Sequence, residues 1–161
     1  MIKELVTRLI EEHWTIAAAE SFTGGMFSSE LTAVSGVSQV FKGSIVAYQN
    51  EIKERILKVE TLNRFGAVSE ETACAMAEHV REVFRSDIGI SFTGNAGPEA
   101  MEEKPVGLVY IAVAISHADT ECLTLKLQGT REEIRKVAIK EAISYLLNLI
   151  CLDATKASIN I

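Results

Sequence analysis

Ile16-Ala17-Ala18-Ala19-Glu20-Ser21-Phe22-Thr23-Gly24-Gly25 reads as a buried strand that stops in a hydroxyl- and glycine-rich turn. Past the turn, Met26, Phe27, Leu31 and Val34 recur at helical spacing, which predicts a helix over roughly 24–34. A strand feeding a helix this way leaves backbone N–H groups and the positive helix end facing solvent. Ser21, set in that turn, is a helix cap, an anion ligand or a nucleophile.

Two other apolar runs end in the same manner. Gly43-Ser44-Ile45-Val46-Ala47-Tyr48 exits into Gln49-Asn50-Glu51-Ile52-Lys53, and Asp87-Ile88-Gly89-Ile90-Ser91-Phe92 exits into Thr93-Gly94-Asn95-Ala96-Gly97-Pro98. Open α/β sheets bind ligands beyond the carboxyl ends of their strands, and three polar or glycine-bearing exits fit that rule.

The remaining pattern predicts an amphipathic helix over about 2–13 and a short helix holding Ile52, Ile56 and Leu57. Ser69 is the expected N-cap of a long helix that turns Ala73, Met76, Ala77, Val80 and Phe84 inward. Val106 to Ile115, the longest apolar run, is predicted as a central strand. It should form an antiparallel hairpin with an alternating edge strand over 121–128. A capping box, Thr130-x-x-Glu133, opens a last helix expected to bury Ile134, Val137, Ala138, Tyr145, Leu146 and Leu149. The tail from about 153 carries little pattern. Together these elements predict one domain, a three-layer α/β/α sandwich with a mixed, mostly parallel sheet.

At 161 residues and 48% hydrophobic content, with two prolines and ten glycines, the chain can build a substantial core and is neither disordered nor collagen-like. No apolar run approaches a membrane span, and charges at Lys3 and Glu4 interrupt any signal-peptide pattern. Cys74, Cys122 and Cys151 are odd in number and set in periodic apolar segments, which predicts small core residues in a reducing, cytoplasmic setting. His13, His79 and His117 lack metal-ligand spacing and are expected at the surface or satisfied, with no metal and no cofactor. A net charge of −6 without a basic stripe argues against nucleic acid, leaving a small anionic ligand held by local cations.

Serine needs a base, and none of the three exit loops holds a histidine. A desolvated Lys53 is one candidate, with Tyr48 to relay a proton or orient the serine. The alternative is a solvated Lys53 paired with Glu51 or Glu54. The loop Thr93-Gly94-Asn95-Ala96-Gly97 offers N–H donors to a phosphate or an oxyanion, or is an ordinary turn. Lys104 faces the ligand or only water. Arg131 and Arg135 share one helical face, which suits phosphate or carboxylate recognition as well as pairing with Glu132 or Glu133.

Five segments, in order, resemble the CinA C-terminal domain family: Ala19-Glu20-Ser21-x-Thr23-Gly24-Gly25, Val46-Ala47-Tyr48-x-Asn50-Glu51-x-Lys53, Gly66-Ala67-Val68-Ser69, Thr93-Gly94-x-Ala96-Gly97-Pro98 and Glu103-Lys104-Pro105-Val106-Gly107. The resemblance covers roughly residues 5–150. It implies a CinA-like fold, no metal, and hydrolysis of nicotinamide mononucleotide to nicotinate mononucleotide and ammonia, as in the family's standalone nicotinamide-nucleotide amidohydrolases. It also implies a nucleophile at Ser21 assisted by Tyr48 and Lys53. The substrate contacts then expected are Thr23, Gly24, Gly25 and Asn50 from the first two loops. Thr93, Gly94, Asn95, Gly97 and Lys104 would join from the third, with Arg131 and Arg135 from the last helix.

Larger members of the family carry an N-terminal molybdopterin-binding-like domain, and its pyrophosphatase chemistry is not expected here. Phe22, Asn95, the 98–103 stretch and Thr130 depart from the family pattern. The rival reading is therefore a non-catalytic nucleotide-binding module. The apolar Val106–Ile115 run and the leucine-rich edge strand point to a homodimer or higher homo-oligomer.

Overall fold

The small residues of the opening strand are there to admit a helix. In the computed structural model, which describes the backbone of residues 1–159 and side chains through Leu152, the first strand β1 (Ile16–Glu20) is buried at every position. Helix α5 (Glu70–Phe84) packs on the face that carries Ala17 and Ala19. The approach is closest at Gly89 of β3 (Ile88–Gly94), where a Cβ would fall 2.1 Å from the Ala77 carbonyl oxygen. Beside it Ser91 donates to the Ala73 carbonyl at 2.6 Å. Ala112 and Ala114 of β4 (Leu108–Ile115) complete this small-residue face.

The sheet order is β2-β1-β3-β4-β5, with β2 at Phe41–Val46 and β5 at Glu121–Lys126. β1 pairs parallel with both β2 and β3, while β4 is antiparallel to β3 and to β5. Four strands therefore point one way and only β4 runs back, so the predicted mixed, mostly parallel α/β/α sandwich is what forms. Helices α1 (Ile2–Glu11), α2 (Met26–Thr32) and α6 (Arg131–Ile159) cover one face, around Leu9, Phe27, Phe92, Ile111 and Leu146. α3 (Asn50–Leu57), α4 (Leu62–Phe65) and α5 cover the other. The two faces differ in side-chain volume, the first carrying isoleucine and phenylalanine where the second carries alanine and glycine.

Several local expectations hold. Ser69 caps α5, its hydroxyl accepting from the Thr72 N–H at 3.2 Å. The Thr130 box closes reciprocally, with Thr130 N–H to Glu133 at 2.7 Å and Glu133 N–H to Thr130 Oγ1 at 3.3 Å.

β4 is the interior strand expected, flanked by β3 and β5, with β3 in the middle place because β1 inserts between β2 and β3. Others need correction. Ile56 and Val137 lie on the solvent sides of their helices, at 44% and 38% exposure. Cys151 is exposed, whereas Cys74 and Cys122 meet where α5 packs on β5. His79 buries an Nδ1 that has no partner among the described residues, while His13 and His117 are exposed. The expectation for the tail falls outside the described side chains, although the backbone continues α6 to Ile159.

Candidate active site at the strand ends

The parallel register of β2, β1 and β3 brings the three exit loops side by side. Ala47 N–H donates to the Glu20 carbonyl at 2.8 Å, and Ser21 N–H donates to the Phe92 carbonyl at 3.0 Å. These two bonds hold Ser21 between the ends of β2 and β3. A cavity of about 420 Å³ opens here, lined by Ser21, Phe22, Tyr48, the 94–99 loop, Met101 and Arg131. That volume lies in the range of small-molecule sites. Ser21 is 8% exposed, enough to present its hydroxyl to the cavity.

The turn after Ser21 is built around Glu20. This strand-end carboxylate is fully buried and accepts from Gly25 N–H (3.0 Å), Phe27 N–H (3.2 Å), Ser28 N–H (2.9 Å) and the Ser28 hydroxyl (2.6 Å). The N-terminus of α2 is thus filled by the protein's own anion and is not open to a ligand, contrary to the reading of a free helix end. Ser44 lies behind it, its hydroxyl 2.8 Å from that of Ser28. Gly24 N–H is committed to the Ser21 carbonyl and Met26 N–H to the Thr23 carbonyl.

Lys53, on the first turn of α3, is 1% exposed, not the solvated residue that pairing with Glu51 or Glu54 requires. Its ammonium donates to the Tyr48 carbonyl at 3.2 Å, and Glu51 pairs instead with Arg55 at 2.9 Å. Burial lowers the Lys53 pKa to about 8, with the Glu102 charge opposing the fall. Lys53 is not among the residues that line the cavity. Tyr48 divides its groups between two partners: its carbonyl serves Lys53, and its hydroxyl accepts from Arg131 at 2.6 Å.

The cations expected at the ligand divide as well. Arg131 lines the cavity and also donates to the Gly97 carbonyl at 2.5 Å. Arg135, one turn on, donates to the Thr23 carbonyl at 2.7 Å and so supports the serine turn from below. Its Nε and the Thr23 Oγ1 are buried without a partner among the described residues. Lys104 is not among the residues lining the cavity; its side chain is partly exposed, and its ammonium meets the Phe65 carbonyl at 3.4 Å, the Val68 carbonyl and, at 3.9 Å, Glu102.

Asn95 lines the cavity but spends its side chain inside its loop, donating to the Lys104 carbonyl at 3.1 Å and accepting from Gly97 N–H at 3.3 Å. Thr93 is buried with its hydroxyl on the Ala67 carbonyl at 2.6 Å, while Gly94 and Gly97 reach the wall. Gly24 and Gly25 shape the turn, and Asn50 is exposed at the start of α3. Glu20 and Glu102 went unnamed as site residues from the sequence, although both lie in or beside the motifs.

The chain is thus a mixed α/β/α domain whose strand-end serine turn faces a cavity with an arginine in its wall. The CinA C-terminal domain model matches residues 1–150, and the chain belongs to that family. It is 49% identical over 149 residues to the putative competence-damage inducible protein of Geobacillus sp. (strain WCH70), covering 91% of this chain and 36% of that protein. It is 44% identical over 155 residues to the corresponding protein of Geobacillus kaustophilus (strain HTA426), covering 95% and 37%. The chain therefore spans little more than a third of the length of these relatives.

Among solved structures, the CinA superfamily protein from Enterobacter cloacae superposes with a TM-score of 0.88 at 32% identity, covering 93% of this chain and 92% of that one. The competence/damage inducible protein CihA from Agrobacterium tumefaciens gives 0.84 at 35% identity, covering 92% and 94%.

Proposed function

We propose that this domain hydrolyses the carboxamide of nicotinamide mononucleotide to the carboxylate and ammonia. The observation that carries the reading is the burial of Lys53, 1% exposed and bonded to the Tyr48 carbonyl beside the strand ends that present Ser21, a setting that lowers its pKa. Ser21 Oγ attacks the carboxamide carbon and passes its proton to neutral Lys53. The tetrahedral intermediate places its oxyanion against backbone N–H groups. Those of Phe22 and Thr23 suit this, since the amides of Ser21, Gly24, Gly25, Met26, Phe27 and Ser28 are committed elsewhere. Lys53 then protonates the departing ammonia, and water hydrolyses the acyl-serine ester.

Tyr48 assists from two sides, orienting Lys53 with its carbonyl and Arg131 with its hydroxyl. Arg131, the cation of the cavity lining, receives the substrate phosphate. The setting is cytoplasmic, the substrate is a small nucleotide, and the assembly is a homodimer or higher homo-oligomer.

Ammonia release measured with nicotinamide mononucleotide, nicotinamide and the dinucleotide tests this. Turnover confined to or strongest with the mononucleotide supports it. Binding of the mononucleotide without ammonia release establishes the rival, a non-catalytic nucleotide-binding module.

A further inference from the structure

The 98–103 stretch, which departs from the family pattern, carries three glutamates, and the fold uses each differently. Glu102 is spent on backbone: its carboxylate accepts from Ala67 N–H at 2.7 Å and from Val68 N–H at 3.0 Å. Glu103 is exposed and is not among the residues lining the cavity. Glu99 is exposed too, but it lines the cavity that Ser21 faces.

The backbone on either side of Glu99 is held. Two residues before it, the Gly97 carbonyl accepts from Arg131 at 2.5 Å and the Gly97 N–H donates to the Asn95 side chain at 3.3 Å. Two residues after it, Met101 bridges to Lys104 and closes the turn that Glu102 docks on residues 67 and 68. The side chain itself is free: Glu99 makes no hydrogen bond or ion pair among the described residues.

Of the polar side chains in the cavity lining, Tyr48 and Arg131 bond to each other and Asn95 bonds within its own loop. Ser21 Oγ and the Glu99 carboxylate are the two left uncommitted. Arg131 is held by a carbonyl and a phenol, neither of them charged, and pairs with no carboxylate among the described residues. One cavity of about 420 Å³ thus carries a cation and an anion that are not joined to each other. Such a site complements a ligand of both signs, whereas a plain phosphate ester would meet repulsion from Glu99.

We propose that Glu99 is a specificity-determining residue that selects zwitterionic substrates: mononucleotides whose cationic pyridinium ring faces Glu99 while the anionic phosphate faces Arg131. This rests on the reading of the cavity as a nicotinamide-nucleotide site. Phe22, Ala96 and Met101 in the lining give a flat ring its packing surface. The ring keeps its charge from bound substrate to tetrahedral intermediate, so Glu99 holds both equally. Its contribution therefore belongs in KM and not in kcat.

The test compares oxidised nicotinamide mononucleotide with its dihydropyridine form, which carries the same carboxamide and phosphate on an uncharged ring. Kd is measured by calorimetry, and KM and kcat by ammonia release, for wild type, Glu99→Gln and Glu103→Gln. The wild type should bind the oxidised form about tenfold more tightly than the dihydro form. Glu99→Gln should weaken the oxidised form about tenfold in Kd and KM alike, with kcat and the Kd of the dihydro form within about twofold of wild type. Glu103→Gln makes the same charge change outside the lining and should leave both affinities within about twofold.

A Glu99→Gln protein that binds both forms as the wild type does, or weakens both equally, overturns the proposal. So does a fall in kcat at unchanged KM. Ammonia release by the wild type would in either case leave the amidase reading standing. A preference for the oxidised form that depends on Glu99, without ammonia release, upholds charge selection and removes the amidase reading instead. A wild type that binds neither mononucleotide overturns both.

Discussion

The Arg131 guanidinium donates to the Tyr48 hydroxyl at 2.6 Å and, through its other nitrogen, to the Gly97 carbonyl at 2.5 Å. One side chain of α6 thereby joins the end of β2 to the loop after β3 across the cavity mouth. Tyr48 and Arg131 should consequently behave as a unit. Tyr48→Phe should raise KM for the phosphorylated substrate about as much as it lowers kcat, and Arg131→Ala should raise KM by tenfold or more. The double variant should be less damaged than the sum, by a coupling of about 1 kcal/mol. Steady-state kinetics on the four proteins checks this, and strict additivity would separate the two residues.

Arg135 is engaged differently, by the Thr23 carbonyl. Arg135→Ala should lower kcat to the same degree for phosphorylated and unphosphorylated carboxamides, because it loosens the serine turn without lining the cavity. A KM effect confined to the phosphorylated substrate would return Arg135 to phosphate recognition.

Glu20 should matter more than its place behind the nucleophile suggests. Its carboxylate satisfies three amides and one hydroxyl in a fully buried site. Glu20→Ala leaves those donors unpaired, at about 1–3 kcal/mol of desolvation for each that water does not reach. Thermal unfolding should show a lowered Tm, and hydrogen exchange should speed selectively at the amides of Gly25, Phe27 and Ser28. Unchanged exchange at those amides would contradict the carboxylate's role.

Lys53 has a stability signature of its own. Its pKa is about 8 in the folded chain and near the ordinary 10.5 when unfolded. Between those values the unfolded state binds the extra proton, so stability rises with pH across that window. Below pH 8 both states are protonated and the lysine contributes its full burial cost. Lys53→Met should stabilise the fold at pH 7 by an amount on the order of a few kcal/mol, an advantage that fades as pH approaches 10. Denaturant unfolding at both pH values checks it; a Met variant less stable at pH 7 would refute it.

The elements were legible where one physical rule dominates. The alternation at Leu123, Leu125 and Leu127 marks the edge strand, and Thr130 with Glu133 marks a helix start. The alanines of β1 announce a strand, but their reason appears only with α5 packed on them. The site was legible as three strand ends in one crevice, with Ser21, Tyr48 and Arg131 at its wall.

What stayed hidden is where polar side chains turn. Glu20 reaches forward onto amides five to eight residues ahead because the strand's alternation points it at α2. Lys104 and Arg135 choose carbonyls 36 and 112 residues away, which no local spacing encodes. Cys74 and Cys122 lie far apart in sequence and meet only through the packing of α5 on β5.

The central claim is that Ser21 is the nucleophile of an amidase, and one comparison tests it most directly. Ammonia release from nicotinamide mononucleotide by wild-type protein is set against that by Ser21→Ala, with ligand affinity of both measured by calorimetry. The account predicts turnover by the wild type, a loss of at least about 100-fold in kcat for the variant, and a Kd within a few-fold of the original. A variant that keeps more than about a tenth of wild-type turnover would contradict covalent catalysis at Ser21.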